Sequence, residues 1–265
     1  MLQQYRKLSE LMDGMLPPLL VPSNGCYVLD SGRCMGWCVY EMAVKYPSLH
    51  ITGIDRDATV VEQAQSHVSG LNNVTVFVQD IHHFEDTIFS TASFDLIHLH
   101  FLAGDVKLHQ FPPLMQSLAR ICRPGGSLVW TEAELPITTS LACQHLCTLV
   151  QQGLRVKGHA FSPGNAGNSM GVIACMGHWL RNAGYRITQS KAHVIDISAG
   201  STGNEAFVTQ VNISSEQICS FLLEAGVTTV TEFEDIFLEM QQHIQDEKFC
   251  GLIYLRTVVG MKTPA

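Results

Sequence analysis

From Cys26 to Trp130, short apolar runs alternate with segments of helical periodicity, and this alternation restricts the fold more than any other feature of the chain. Residues 26–30, 50–54, 74–78, 94–99 and 127–130 have the length and composition of buried strands, each bounded by turn residues. Between them, apolar residues recur on one helical face: Met35, Cys38, Val39 and Met42; then Val60, Val61, Ala64 and Val68; then Leu114, Met115, Leu118, Ile121 and Cys122. Asp57 stands as N-cap of the second helix, Gly70 closes it, and Pro124-Gly125-Gly126 stops the third. Strands joined through helices pair in parallel, and the crossovers cover both faces of the sheet. Ligands of such sheets bind at the carboxyl ends of the strands, beside the point where strand order reverses.

The flanks follow a different pattern. Residues 2–13 predict a helix ended by Gly14 and the Pro17-Pro18 break. A helix over 138–157 leads to a Gly-, Ser- and Asn-rich loop at 162–169. Ile173, Met176, Leu180 and Ala183 mark another helix, and 185–197 a strand. A polar crossing at 198–210 precedes two helices with capping boxes, Ser214 with Gln217 and Thr231 with Glu234, and residues 250–259 form a closing strand. The chain of 265 residues is expected to fold as one α/β domain: an N-terminal helical segment (1–24), a ligand-binding half (25–135) and a half with helical cap insertions (136–265).

Composition removes several function classes. A net charge of −8 with 16 Lys and Arg leaves no broad basic face for nucleic acid. No run approaches the ~18 apolar residues of a spanning helix, and the opening Met1 to Lys7 lacks the apolar centre of a signal peptide. A cytoplasmic protein is expected. The nine cysteines are odd in number and contain no C-x-x-C pair, as expected of reduced, buried thiols. Cys34 and Cys38, like Cys143 and Cys147, are four apart and share a helix face, but no His/Cys set stands at zinc-finger spacing, so no metal is expected.

Chemistry concentrates in Val28-Leu29-Asp30-x-Gly32-x-Cys34-x-Gly36, a glycine loop that follows a strand and opens a helix. Backbone N–H groups and a helix N-terminus can approach a ligand there without an intervening side chain. Asp55 ends the second strand, 19 residues after Gly36, where a carboxylate can accept hydrogen bonds from ribose hydroxyls. Asp80 ends the third, within reach of an adenine amino group when the strands align. Three such positions at three successive strand ends favour a nucleoside ligand.

With these residues the chain resembles the class I, Rossmann-like S-adenosylmethionine-dependent methyltransferases, over residues 28–132 and more loosely beyond. Val28 to Gly36 match the family's first motif, Asp55 its ribose-binding acid, Asp80 its adenine-side acid, 94–97 its fourth strand, and Arg120 to Leu128 its turn before strand five. The resemblance implies a three-layer fold with a mostly parallel seven-stranded sheet, its last strand antiparallel, and a helical cap. It implies S-adenosylmethionine as cofactor, held by Asp30, Gly32, Cys34, Gly36, Asp55, Arg56, Asp80, Ile81 and His98. NAD-dependent dehydrogenases share the glycine loop and the acid of strand two, but not the Pro-Gly-Gly turn or the Asp80 position.

Methyl transfer from a sulfonium is an in-line displacement, in which the protein aligns the nucleophile and removes a proton where needed. His98 and His100, at the end of strand four, and Glu134, after strand five, are the catalytic candidates, with Glu132, His193 and Asp196 as further polar groups near strand ends. Phe101, Phe111, Phe161, Met170 and Trp179 suggest an apolar pocket, hence a small hydrophobic or aromatic acceptor whose reacting atom (O, N or C) is open. The N-terminal helix is expected to close over the cofactor. The alternatives are a methyltransferase-like protein that uses the cofactor for cyclisation or rearrangement, and a non-catalytic regulatory partner. The oligomeric state is open, a homodimer being one option. The family places glycine where Cys34 stands, so Cys34→Gly is expected to keep or tighten cofactor binding; calorimetric titration showing clearly weaker binding would contradict this.

Overall fold

The computed structural model describes residues 2–12, 14, 16, 24–33, 35–81, 84, 88–161 and 169–263. Cys34 and most of the 162–169 loop lie outside the described residues, as does the side chain of Met35. Helix α1 (Leu2–Leu11) precedes the alternating half: β1 (Tyr27–Gly32), α2 (Met35–Lys45), β2 (His50–Asp55), α3 (Ala58–His67), β3 (Val74–Val78), β4 (Phe94–His100), α4 (Phe111–Ile121) and β5 (Cys122–Ala133). The second half adds β6 (Ile137–Thr138), α5 (Leu141–Val156), α6 (Val172–Asn182), β7 (Tyr185–Asp196), α7 (Thr202–Glu224), α8 (Val230–Ile244) and β8 (Gly251–Lys262).

The eight strands among the described residues join one sheet. β3, β2, β1, β4 and β5 lie side by side in parallel, and β8 runs antiparallel between β5 and β7. The two-residue β6 follows β5 and pairs with the start of β8, which brings the count to eight where the resemblance implies seven. Strand order reverses between β1 and β4, so the crevice expected in such sheets opens above the ends of β1, β2 and β4.

Alternation of side chains divides the core. Val28, Leu96, Val129 and Val259 face one layer, with Cys38, Val39 and Met42 of α2, Val61 and Ala64 of α3, and the cap helices α5, α7 and α8. Leu29, Ile97, Leu128, Trp130 and Val258 face the other, with α4 and α6. Asp57 caps α3 by accepting the Thr59 N–H, as its position in the sequence predicts.

Residues 198–210 depart from the sequence expectation. They do not cross as a polar coil: α7 begins at Ser201, whose hydroxyl accepts the Asn204 N–H, and runs unbroken to Glu224. Ser214 therefore sits in mid-helix instead of capping one. Phe207, Val211, Ile218 and Leu222 turn one face of α7 to the core, and the polar run is simply its outer face. Helix α8 is capped by Thr229, two residues before Thr231. Among the described residues, no helix is long and apolar enough to cross a membrane.

The β1–β4 register places Gly32 beside His100. Gly32 has φ +133°, and a Cβ there would strike the backbone carbonyl of His100 and come within 2.6 Å of its ring Nδ1. Close packing on β4 therefore requires glycine at this point of the loop. Gly32→Ala is expected to cost about 3–5 kcal/mol through strain and overpacking, read by urea unfolding; a loss under about 1 kcal/mol would show that β1 and β4 separate easily.

Candidate functional site

Beneath the glycine loop, β1 and β4 bring three ionisable side chains together with no exposure to water. Asp30 lies opposite His98 in the register. Its Oδ1 is 2.6 Å from His98 Nδ1, and its Oδ2 is 3.3 Å from His100 Nε2. All three are 0% exposed. Cys38 of α2 joins the group, and one donor atom from each of the four side chains lies within 4.8 Å of all the others. The fold thus assembles a ligand-type set where sequence spacing predicts no metal centre, because the partners are 68 and 70 residues apart in the chain.

Charge in this group is set by competition. Burial opposes ionisation of Asp30, but the imidazoles, His100 foremost, hold its carboxyl below the usual carboxylate range. Burial likewise opposes protonation of His100, yet Cys38 and Asp30 beside it push its pKa up to about 10. For His98 burial wins over the Asp30 hydrogen bond, and its pKa falls. The pattern is a carboxylate matched by one imidazolium, with His98 neutral. The Nε2 of His98 is buried and has no hydrogen-bond partner among the described residues.

Above this group, at the ends of β1, β2 and β3, a narrow crevice of about 50 Å³ is lined by Gly32, Asp55, Arg56, Asp80, Ile81 and Asp105, among others. Asp55 accepts the Asp57 N–H at 2.9 Å, and burial holds its carboxyl above the ordinary range. Arg33 and Arg56 both reach Asp105, at 3.1 and 3.5 Å, with half of each guanidinium side chain in solvent. These exposed ion pairs are weak enough to rearrange around a ligand.

Two apolar cavities adjoin the loop. One, of about 320 Å³, is lined by Phe101, Glu132, Val150, Leu154, Met170 and Phe221, among others. The other, of about 260 Å³, is lined by Leu8, Phe101, Ala133, Ile197, Phe207 and Leu255, among others. Arg33 borders both cavities and the crevice, so the three spaces meet there. Helix α1 closes the second cavity through Leu8 and Leu11. Phe101 stands at the shared wall with φ +54°, a backbone conformation uncommon for a bulky residue. Glu132 anchors the backbone just past Phe101: Oε1 accepts the Leu102 N–H at 2.7 Å and the Trp130 indole N–H at 2.8 Å. Burial raises the Glu132 pKa to about 7 in spite of those bonds.

The sequence candidates therefore separate. Gly32, Asp55, Arg56, Asp80 and Ile81 line one crevice. Asp30 and His98 lie buried under it, Gly36 is in the first turn of α2, and Cys34 lies outside the described residues. His100 is fully buried. Glu134 accepts the backbone N–H groups of Met170 and Gly171 and the Ser169 hydroxyl, which anchors the entry to α6. His193 contacts Thr257 Oγ1 at 3.3 Å, and Asp196 accepts the Ser198 N–H. Of the suggested pocket residues, Phe101 and Met170 line the first cavity. Phe111 does not: it is 0% exposed, its ring near-parallel to those of Trp130 and Trp179 in one cluster, with Phe161 at its edge. Arg33 was not among the sequence candidates; a long cation inside a glycine loop is the signal it offered.

Residues 28–126 match the family of methyltransferase domains. Comparison with curated protein sequences yields no match. Among solved structures, the chain is similar to a Haemonchus contortus phosphoethanolamine N-methyltransferase in complex with S-adenosylhomocysteine, at 15% identity and a TM-score of 0.52, over 99% of this chain and 53% of that one. It is similar to the YcgJ protein of a Bacillus species, at 13% identity and a TM-score of 0.56, over 98% and 100% of the two chains. It is also similar to the [4+2]-cyclase SpnF, at 13% identity and a TM-score of 0.56, over 98% and 93%. At such identities the likeness is one of fold, and the fold is that of the class I, Rossmann-like methyltransferases.

Folding should take up a proton at Glu132. Its carboxyl titrates near 4.5 when free and near 7 in the fold. Its contribution to stability is therefore complete below about pH 4.5 and declines as pH rises to about 7, by up to about 3 kcal/mol. Glu132→Gln should flatten this slope, compared by urea unfolding at pH 5 and pH 7.5; parallel pH dependence of the two proteins would contradict the assignment.

Proposed function

We propose that this chain, of class I Rossmann-like methyltransferase fold and with a methyltransferase domain over residues 28–126, transfers a methyl group from S-adenosylmethionine to a small hydrophobic or aromatic metabolite. The observation that carries the reading is the pair of apolar cavities that meet the crevice at Arg33. Bound cofactor supplies an electrophilic methyl on a sulfonium. The residues of the crevice suit its adenosine half: Asp55 would accept from the ribose hydroxyls, Asp80 from the adenine amino group, and Gly32 leaves backbone accessible. Arg33 and Arg56 would shift from Asp105 to admit it.

On the acceptor side, Phe101, Leu154, Met170 and Phe221 would hold an apolar body and keep water from the reacting centre. Glu132 is the acid at this wall. With a pKa of about 7 it suits receipt of a proton from an acceptor hydroxyl or amine near neutrality. His98, His100 and Glu134, the candidates of the sequence, are less suited to that task, since the first two are buried on Asp30 and the third holds the α6 entry.

A specific observation also favours a second reading, cyclisation or rearrangement without methyl transfer. Among the described residues, the smaller cavity has only Arg33 and Gln210 as polar lining, with no carboxylate or imidazole. Single-turnover incubation with methyl-labelled cofactor and a panel of apolar phenols, amines and polyenes separates the two. Transfer of label is expected, and Leu154→Trp, which fills the larger cavity, should reduce turnover at least tenfold while S-adenosylhomocysteine affinity stays within about twofold. Substrate consumed without labelled product would support the second reading instead.

A further inference from the structure

We propose that Asp30, Cys38, His98 and His100 form a closed four-ligand site for a divalent zinc ion, which ties both ends of the loop over residues 31–37 to β4. The donor set is one carboxylate oxygen, one sulfur and two imidazole nitrogens, all on buried side chains. Sulfur and imidazole together select zinc over magnesium or calcium. Tetrahedral zinc with bonds of about 2.0–2.3 Å needs ligand atoms about 3.3–3.8 Å apart. The four atoms already lie within 4.8 Å of one another, and the closest contacts of the group are 2.6 and 3.3 Å, so small adjustments reach that spacing.

Energetics point the same way. Charged groups without water are costly unless matched. A dication held by the Asp30 carboxylate, the Cys38 thiolate and two neutral imidazoles is a neutral complex. Neutrality is what a dry protein core tolerates best. The ligands are also placed to matter: Asp30 is two residues before Gly32, Cys38 is two residues after Gly36, and both histidines are on β4. A metal here would fix the loop from below, on the side away from the crevice.

This inference is independent of the cofactor and acceptor readings, and its test needs no methyl transfer. The full chain, produced without a histidine tag in zinc-supplemented medium, should carry about one zinc per chain by plasma mass spectrometry. Zinc-edge X-ray absorption should show one sulfur among four ligands. After chelation, cobalt(II) should restore a thiolate-to-metal charge-transfer band and tetrahedral visible bands. Both should be lost in Cys38→Ser and His98→Gln and kept in Cys143→Ser, with circular dichroism reporting the fold of each variant. Wild-type protein that takes up neither metal, a zinc shell with no sulfur or with two, or a folded Cys38→Ser variant that still holds metal would overturn the site.

Discussion

A carboxylate in the middle of a sheet stays ionised only when something beside it carries the opposite charge, and for Asp30 that partner comes from the next strand. Parallel pairing of β1 with β4 sets Asp30 opposite His98 and Gly32 beside His100. The rest of the site depends on this register. The His100 carbonyl occupies the space a side chain at position 32 would need, so the chain turns there as glycine with positive φ. With Asp30 held below by two imidazoles, the crevice above is left to the Gly32 backbone and to the acids at the ends of β2 and β3.

The alternating half of the fold was legible because its signals are local. Apolar runs of strand length, helical spacing and the Asp57 cap each depend on residues a few positions apart, and the elements from β1 to α4 agree with them within a few residues, while β5 starts early, at Cys122, and takes in the expected Pro124-Gly125-Gly126 turn. Beginning at residue 198 the same logic failed, because α7 is polar on its outer face and buries only a narrow stripe of Phe207, Val211, Ile218 and Leu222. The apparent capping box at Ser214 is a chance match inside that helix. Asp55 and Asp80 could be placed at one crevice because strand ends are brought together by topology alone. The Asp30 group could not be foreseen from spacing: nothing in the chain couples position 30 to positions 98 and 100 until the β1–β4 register is known. Nor could the partners of Glu134 be read from spacing: this carboxylate after a strand end receives three donors from the segment entering α6, more than 30 residues on.

Function in this fold is a matter of adjacency. A polar crevice with acids at its rim and two apolar cavities share Arg33, while the cavities also share Phe101 and Ala133. Phe101 reaches that wall through a strained turn, and Glu132 stabilises the turn by accepting from Leu102 and, more loosely, Ala103. The same carboxyl that organises the backbone thus faces the larger cavity, with its proton affinity moved toward neutrality by burial. Helix α1 adds Leu8 and Leu11 to the smaller cavity and is itself tied to α2 by the Ser9 hydroxyl, which donates to the Glu41 carboxylate at 2.9 Å. The walls of the two cavities are therefore built from both halves of the chain, beside the crevice at the strand ends.

The central claim is that the crevice at the ends of β1, β2 and β3 takes the adenosine of an S-adenosyl cofactor. Parallel calorimetric titrations with S-adenosylhomocysteine and with NAD test it most directly, in the unmodified protein and in Asp55→Asn. Saturable one-site binding of S-adenosylhomocysteine, weakened about tenfold or more by Asp55→Asn, with no binding of NAD, is the predicted result. Binding of NAD in preference, or S-adenosylhomocysteine affinity indifferent to Asp55, would contradict it.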